Sequence, residues 1–106
     1  MLEHIETPAL VVDLDKMENN LRKMKQIARK KRVKLRPHVK THKSPYIALK
    51  QIALGADGIT VATLGEAEVM RRHGITDILI AYPIVGRNKL ARLKRLAEGA
   101  DMTVSL

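Results

Sequence analysis

Gly55-Ala56-Asp57-Gly58-Ile59-Thr60-Val61-Ala62-Thr63-Leu64-Gly65-Glu66 contains, in twelve residues, the phrase from which the whole chain is built. A glycine lead-in precedes a β-branched apolar run, and Thr63 with Glu66 three residues later forms a capping box that opens a helix. Leu64, Ala67 and Met70 then face one way until Gly74. The lead-in returns as Gly74-Ile75-Thr76 and as Gly99-Ala100-Asp101, each before another apolar run. The spacings between these glycines, 19 and 25 residues, are uneven and too long for a leucine-rich phrase. They predict βα units on a parallel sheet and not a solenoid.

Outward from this phrase, three more helices are expected. Asp15 with Glu18 reads as a cap for a first helix, in which Met17, Leu21, Met24 and Ala28 recur at helical spacing. Ser44-Pro45 caps a second, from Tyr46 to Leu54, with Gly55 just past its end. Leu90, Leu93 and Leu96-Ala97 form the apolar stripe of a last helix, between Gly86 and Gly99. Strands are expected at Val33 to Lys40, Gly58 to Ala62, Asp77 to Tyr82 and Met102 to Leu106. The last three read as near-continuous apolar runs, which suits parallel strands covered on both faces. Pro8 to Leu14 is a candidate fifth strand without an obvious partner. Right-handed crossovers turn such a series into an open doubly wound sheet or a (β/α)8 barrel. About four βα units would make half a barrel, and the chain stops inside an expected strand, so a truncated TIM-type barrel is anticipated.

Composition narrows the function classes. With 106 residues and 45% apolar content, the chain has material for one domain at most. Absence of cysteine removes disulfides, thiolate metal sites and thiol nucleophiles. No apolar run is long enough to span a bilayer, and Met1-Leu2-Glu3-His4-Ile5-Glu6 carries acid where a secretory leader carries Lys or Arg, so a cytoplasmic location is expected. The formal charge is +9, and the twelve basic residues between Asn19 and Ala56 meet no acid there. Such a stretch suits nucleic acid or a small anionic ligand. Tyr46 and Tyr82 are the only aromatic residues, which leaves little for bases to stack on and disfavours nucleic acid. Arg22, Lys23, Lys25, Arg29, Lys30, Lys31 and Arg32 also fit the solvated face and basic end of the first helix.

The chemistry lies in Val33-Lys34-Leu35-Arg36-Pro37-His38-Val39-Lys40-Thr41-His42-Lys43-Ser44. Strand alternation sends Lys34, Arg36, His38 and Lys40 to one face. Inside a barrel, four basic groups are costly to desolvate unless an anion or cofactor meets them. Lys40 would end that row at the C-terminal end of the strand, where α/β enzymes place their sites. Crowding by Arg36, His38 and Lys43, together with burial, would disfavour its charged form, as Schiff-base chemistry requires. An exposed edge strand protected by charge is the plain structural alternative.

Thr7-Pro8-Ala9-Leu10-Val11-Val12-Asp13-Leu14-Asp15, Arg36-Pro37-His38-Val39-Lys40-Thr41-His42-Lys43-Ser44 and Ala62-Thr63-Leu64-Gly65-Glu66-Ala67-Glu68 together resemble the start of the D-threonine aldolase and D-serine dehydratase-like enzymes. These belong with alanine racemase to the barrel class of pyridoxal-phosphate enzymes. The resemblance runs along essentially all of residues 1–106, which it reads as the N-terminal half of such a barrel. It implies that Lys40 is the catalytic residue and attaches pyridoxal phosphate, with Arg36, His38, Thr41, His42 and Thr63 around the cofactor. Lys43, the competing lysine, lies beyond the strand end. The implied reaction is aldol cleavage of β-hydroxy-D-amino acids or dehydration of D-serine.

The same resemblance assigns phosphate-binding turns and divalent-metal ligands to parts of the family that these residues do not include. It pairs Pro8 to Leu14 with a C-terminal β domain. Whether the chain alone is an enzyme therefore stays open at this point, and completion by a second copy or by further chain is expected. Two alternatives remain: a basic module that binds nucleic acid without catalysis, and a non-enzymatic carrier of pyridoxal phosphate. His4, His38, His42 and His73 lack compact ligand spacing with acids, so no metal site is expected within these residues. Tyr82-Pro83 ends a strand toward the same face, where a core tyrosine is the commoner outcome. His73, beside Gly74, reads as a partner of a helix C-terminus.

Overall fold

A computed structural model describes residues 2–106, so Met1, at the head of the leading stretch and of the expected domain, lies outside the described residues. Four helices alternate with three strands: α1 (Leu14–Lys31), α2 (Pro45–Ala53), β1 (Ile59–Val61), α3 (Leu64–Arg72), β2 (Asp77–Ile80), α4 (Arg87–Ala97) and β3 (Asp101–Val104). The strands are parallel and neighbours in chain order, β1-β2-β3. Sequential order without reversal is the winding of a barrel; a doubly wound sheet reverses direction partway. The fold is an α/β partial barrel.

The expected strand from Val33 to Lys40 is corrected. Its carbonyls at Leu35 and Pro37 accept from the Asp57 and Thr60 N–H groups at 2.8 Å each, but only one parallel bridge forms, His38 to Thr60. Pro37 has no N–H to return, and the segment lies at the open edge of β1, so the ladder stops there. Lys40 then falls in a single 3₁₀ turn, Val39–Thr41, instead of a strand. Pro8 to Leu14 is no strand either: Asp13 caps α1 and Leu14 is its first residue. The cap is thus Asp13 and not Asp15, its carboxylate accepting from the Lys16 N–H at 3.0 Å. That bond holds the Asp13 carboxyl below its ordinary range. Asp15 sits instead in the first turn, where the macrodipole favours it.

The remaining helix boundaries follow local chemistry. The Ser44 hydroxyl accepts from Ile47 N–H at 3.4 Å and Thr63 from Glu66 N–H at 3.1 Å, each opening its helix. Past α2 and α3, Gly55 and Gly74 take φ of 104° and 87°, the left-handed geometry that ends a helix at low cost for glycine alone. His73 caps α3, and its Nδ1 lies 2.8 Å from the Val69 carbonyl oxygen, as expected for a partner of a helix end.

One layer of core forms. Ile59, Val61, Ile78 and Ile80 are fully buried on the helix side of the sheet, against Leu64, Ala67 and Met70 of α3, Leu96 of α4 and Ala48 of α2. Helix α1 is attached more loosely, with Ala28 its one buried residue and Met24 and Ile27 about half exposed. Its basic last turn, Arg29 to Lys31, is solvated. The opposite face of the sheet carries no described helix and is open. A radius of gyration of 15.7 Å, against about 13 Å for a closed domain of similar length, reflects that open plate. No described helix is long and apolar enough to cross a membrane.

Candidate active site

Strand register arranges the open face in rows. Asp77 pairs with Asp101, and Ile59 with Ile78, so Gly58 stands beside Asp77. The His38 bridge to Thr60 brings Arg36 alongside Gly58. At this lower row the Arg36 guanidinium donates to both Asp77 oxygens from its two terminal nitrogens, at 2.6 and 3.1 Å. The bond to Asp77 holds Arg36 above its ordinary value. The expected unmet positive charge is thus neutralised here by a carboxylate 41 residues away in sequence. The sequence offers only one sign of Asp77, an acid at the first position of an apolar strand. Gly58 is what lets the pair lie flat across β1, since a Cβ there would meet the Asp77 Cγ at 2.7 Å and its carbonyl oxygen at 2.8 Å.

Above that row stand His38, Thr60, Leu79 and Thr103, and after His38 comes the turn that carries Lys40. Val39 is fully buried in the core while Lys40 and Thr41 beside it are exposed. The burial expected at Lys40 is therefore absent, because the face that a closed barrel would shield is open in this chain. The His38 Nδ1 accepts from the Lys40 backbone N–H at 3.3 Å, which fixes the start of the turn. Lys40 has no salt-bridge partner among the described residues.

Lys43 differs. Its Nζ lies 3.4 Å from the Glu66 Oε1, and the other Glu66 oxygen accepts from the Ala62 N–H at 2.7 Å. The capping box was legible in sequence, but its acid reaches one residue further back than the cap and also ties down a lysine of the preceding loop. His42 turns toward α2: its Nδ1 accepts from Ser44 N–H at 3.0 Å and its Nε2 lies 3.3 Å from the Gln51 Oε1. With Nδ1 accepting, the proton belongs on Nε2, so one ring nitrogen serves the entry to α2 and the other reaches its last turn.

Beyond β1 and β2, a cleft of about 390 Å³ opens between the first turns of α3 and α4, with Thr63, Gly65, Tyr82 and Lys89 in its walls. The Thr63 hydroxyl there is engaged in its cap. Tyr82 is not the core residue that was the commoner expectation; it is 53% exposed, with Lys89 Nζ 5.9 Å from its ring centre. Structure thus groups Arg36, His38, Lys40 and Thr41 along one edge segment, sets Thr63 and Tyr82 at a neighbouring cleft, and turns His42 away. Among the described residues no group of three or more His, Asp or Glu could hold a metal ion.

Comparison with known proteins agrees with this fold. Residues 12–105 match the family described as alanine racemase, N-terminal domain. The chain is 48% identical over 103 residues to a D-threonine aldolase of Arthrobacter sp, covering 97% of this chain and 27% of that protein. It is 45% identical over 98 residues to the D-threo-3-hydroxyaspartate dehydratase of Delftia sp. (strain HT23), covering 92% and 26%. The crystal structure of D-threonine aldolase from Filomicrobium marinum superposes with a TM-score of 0.93 at 50% identity, over 96% of this chain and 28% of that one. The chain spans about a quarter of the length of these relatives. Matched over nearly all of its length, in sequence and in three dimensions, it belongs to the alanine racemase N-terminal domain family.

Proposed function

We propose that this chain provides the cofactor-attaching end of a pyridoxal-phosphate-dependent barrel enzyme that acts on D-amino acids bearing a hydroxyl at Cβ, by aldol cleavage or by dehydration. The observation that carries the reading is the contrast between two lysines of one turn. Lys40 offers an exposed amine with no acid partner, whereas Lys43 is tied to Glu66. A primary amine at the C-terminal end of the strand layer is the group that a cofactor aldehyde requires. The residues present therefore fit pyridoxal phosphate at its aldehyde end. Two relatives, a D-threonine aldolase and a D-threo-3-hydroxyaspartate dehydratase, carry names that share a Cβ hydroxyl and the D configuration. That common chemistry supports the substrate class, D-serine included.

Bound there, the cofactor supplies an electron sink for the pair released at the substrate Cα. The Lys40 amine would hold or return the proton at the substrate Cα. His38 sets the turn through its Nδ1 and has no described partner at Nε2, so that nitrogen would be available to the cofactor. Thr41 offers a hydroxyl from the same turn. Arg36, His42 and Thr63 serve from one step behind, through Asp77, the entry to α2 and the cap of α3. Phosphate contacts and any divalent-metal ligands come, in this reading, from outside these residues. A second copy or further chain closes the open face, and a cytoplasmic setting accords with the lack of cysteine.

The test is binding of pyridoxal phosphate followed by visible absorbance, with Lys40→Ala beside the unaltered chain, and then assay of D-threonine for glycine and acetaldehyde. Absorbance that survives gel filtration and disappears in Lys40→Ala supports the reading. The same absorbance in both proteins, or in neither, refutes it.

A further inference from the structure

Two lysines stand three residues apart in an exposed turn, and a free aldehyde does not by itself prefer one. We infer that Glu66 is a positioning residue that makes the choice, by holding Lys43 against α3 so that Lys40 alone meets the cofactor. This inference rests on the proposed function, but it concerns a different residue and a different observable.

The geometry gives Glu66 two tasks from one carboxylate. Its side chain is only 12% exposed, and its Oε2 is anchored by the Ala62 N–H at 2.7 Å where β1 passes into α3. Its Oε1 is thereby fixed in place, 3.4 Å from the Lys43 Nζ. Lys43 adopts a φ of 51°, a left-handed backbone uncommon for a residue with a Cβ, which sends its side chain off the course of the turn. It lies with Gly65, Glu66, Val69 and Met70 along a shallow hollow on α3, in the helix layer. Lys40 has no such tether among the described residues, and its backbone is set by His38. No other described acid approaches the Lys43 ammonium within salt-bridge distance. The capping box, which sequence reading treats as a device for starting a helix, thus also selects between amines.

Attachment joins a lysine nitrogen to the aldehyde carbon of pyridoxal phosphate with release of one water. Borohydride then delivers a hydride to that carbon while a proton from water goes to nitrogen, and the label becomes permanent on whichever lysine reacted. The experiment is borohydride trapping of the chain with pyridoxal phosphate, followed by peptide mass spectrometry and the ratio of label on Lys43 to label on Lys40. Glu66→Gln keeps an oxygen for the Ala62 N–H and removes the charge that holds Lys43. A partly exposed ion pair predicts that the ratio rises roughly two- to five-fold. Glu68→Gln removes a carboxylate from the same helix and frees it from Arg92 of α4 without touching the pair, and its ratio should stay at that of the unaltered chain.

An unchanged ratio in Glu66→Gln overturns the inference, as does an equal rise in Glu68→Gln, which would make loosening of the helix or loss of any α3 carboxylate the cause. If the unaltered chain shows no preference for Lys40 at all, the proposed function itself falls, and the two failures are thereby distinguished.

Discussion

Gly58→Ala should destabilise the chain by about 2 kcal/mol, although glycine to alanine in an extended segment is ordinarily neutral or favourable. An added Cβ would stand 2.7 Å from the Asp77 Cγ and 2.8 Å from the Asp77 carbonyl oxygen, and it would also collide with the Arg36 Nη1. The guanidinium end can move, but the carbonyl belongs to β2, which is held in register against β1. Forcing such overpacking costs about 1–3 kcal/mol. Loss of the two Arg36 to Asp77 hydrogen bonds, between side chains 32% and 33% exposed, adds no more than about 1 kcal/mol after solvent screening. Reduced entropy of the unfolded chain returns about 0.4–1 kcal/mol.

The net effect corresponds to a fall in Tm of roughly 8–16 °C for a domain of this size. Urea unfolding followed by circular dichroism measures it directly. A cycle with Arg36→Ala then isolates the cause: in that background the Gly58→Ala penalty should shrink by at least about 0.5 kcal/mol, since one of the colliding groups is gone. A Gly58→Ala protein as stable as the unaltered chain, or strictly additive effects in the cycle, would refute the account of Gly58 as the bed of this ion pair.

Two further expectations follow from the helix layer. Hydrogen bonds from Arg92 to both oxygens of Glu68, at 2.8 and 2.6 Å, hold that carboxyl below its ordinary range. A depressed carboxyl contributes stability that is fully present above its unfolded pKa and is lost as pH falls through the folded one. The tie between α3 and α4 should therefore weaken below the ordinary glutamate range, and only modestly for so exposed a pair. Urea midpoints against pH should show a smaller acid loss in Glu68→Gln than in the unaltered chain, and parallel curves would contradict this. Helix α1, with one buried residue against three in α3, should exchange its amide hydrogens faster than α3, and equal protection by mass spectrometry would show that it is held by more than the contacts described.

Most of the fold was legible because its signals are local. The Ser44 and Thr63 caps, and the glycine exits at Gly55, Gly74 and Gly99, each concern backbone groups within one helical turn of the residue that announces them. Even the misplaced start of α1 stayed local: Asp13 and Asp15 are both competent caps, and the backbone at Asp13 is extended as a cap requires. The edge segment was harder to read. Its alternation resembles a strand, yet pairing needs a donor that Pro37 lacks, and only one bridge survives. At the site, Lys40, His38 and Thr41 were legible as a cluster because they are neighbours in sequence. Asp77 and the second task of Glu66 were not, since nothing within a few residues of Arg36 or Lys43 points to them.

The sequence by itself therefore determined the alternation of helix and strand, the parallel arrangement and the short stretch that carries the amine, whereas the turn at Lys40 in place of a strand came with the structure. Dihedral preference, capping and hydrophobic period act over a handful of residues, and each states its requirement where it stands. Tertiary structure alone decided which charges distant in sequence meet. Arg36 finds Asp77 only because three stretches of chain lie in register, and Lys43 finds Glu66 only because the β1 to α3 passage runs beside the Lys40 turn. Charge pairing reaches across space regardless of chain separation, so it becomes visible only once packing has set the distances.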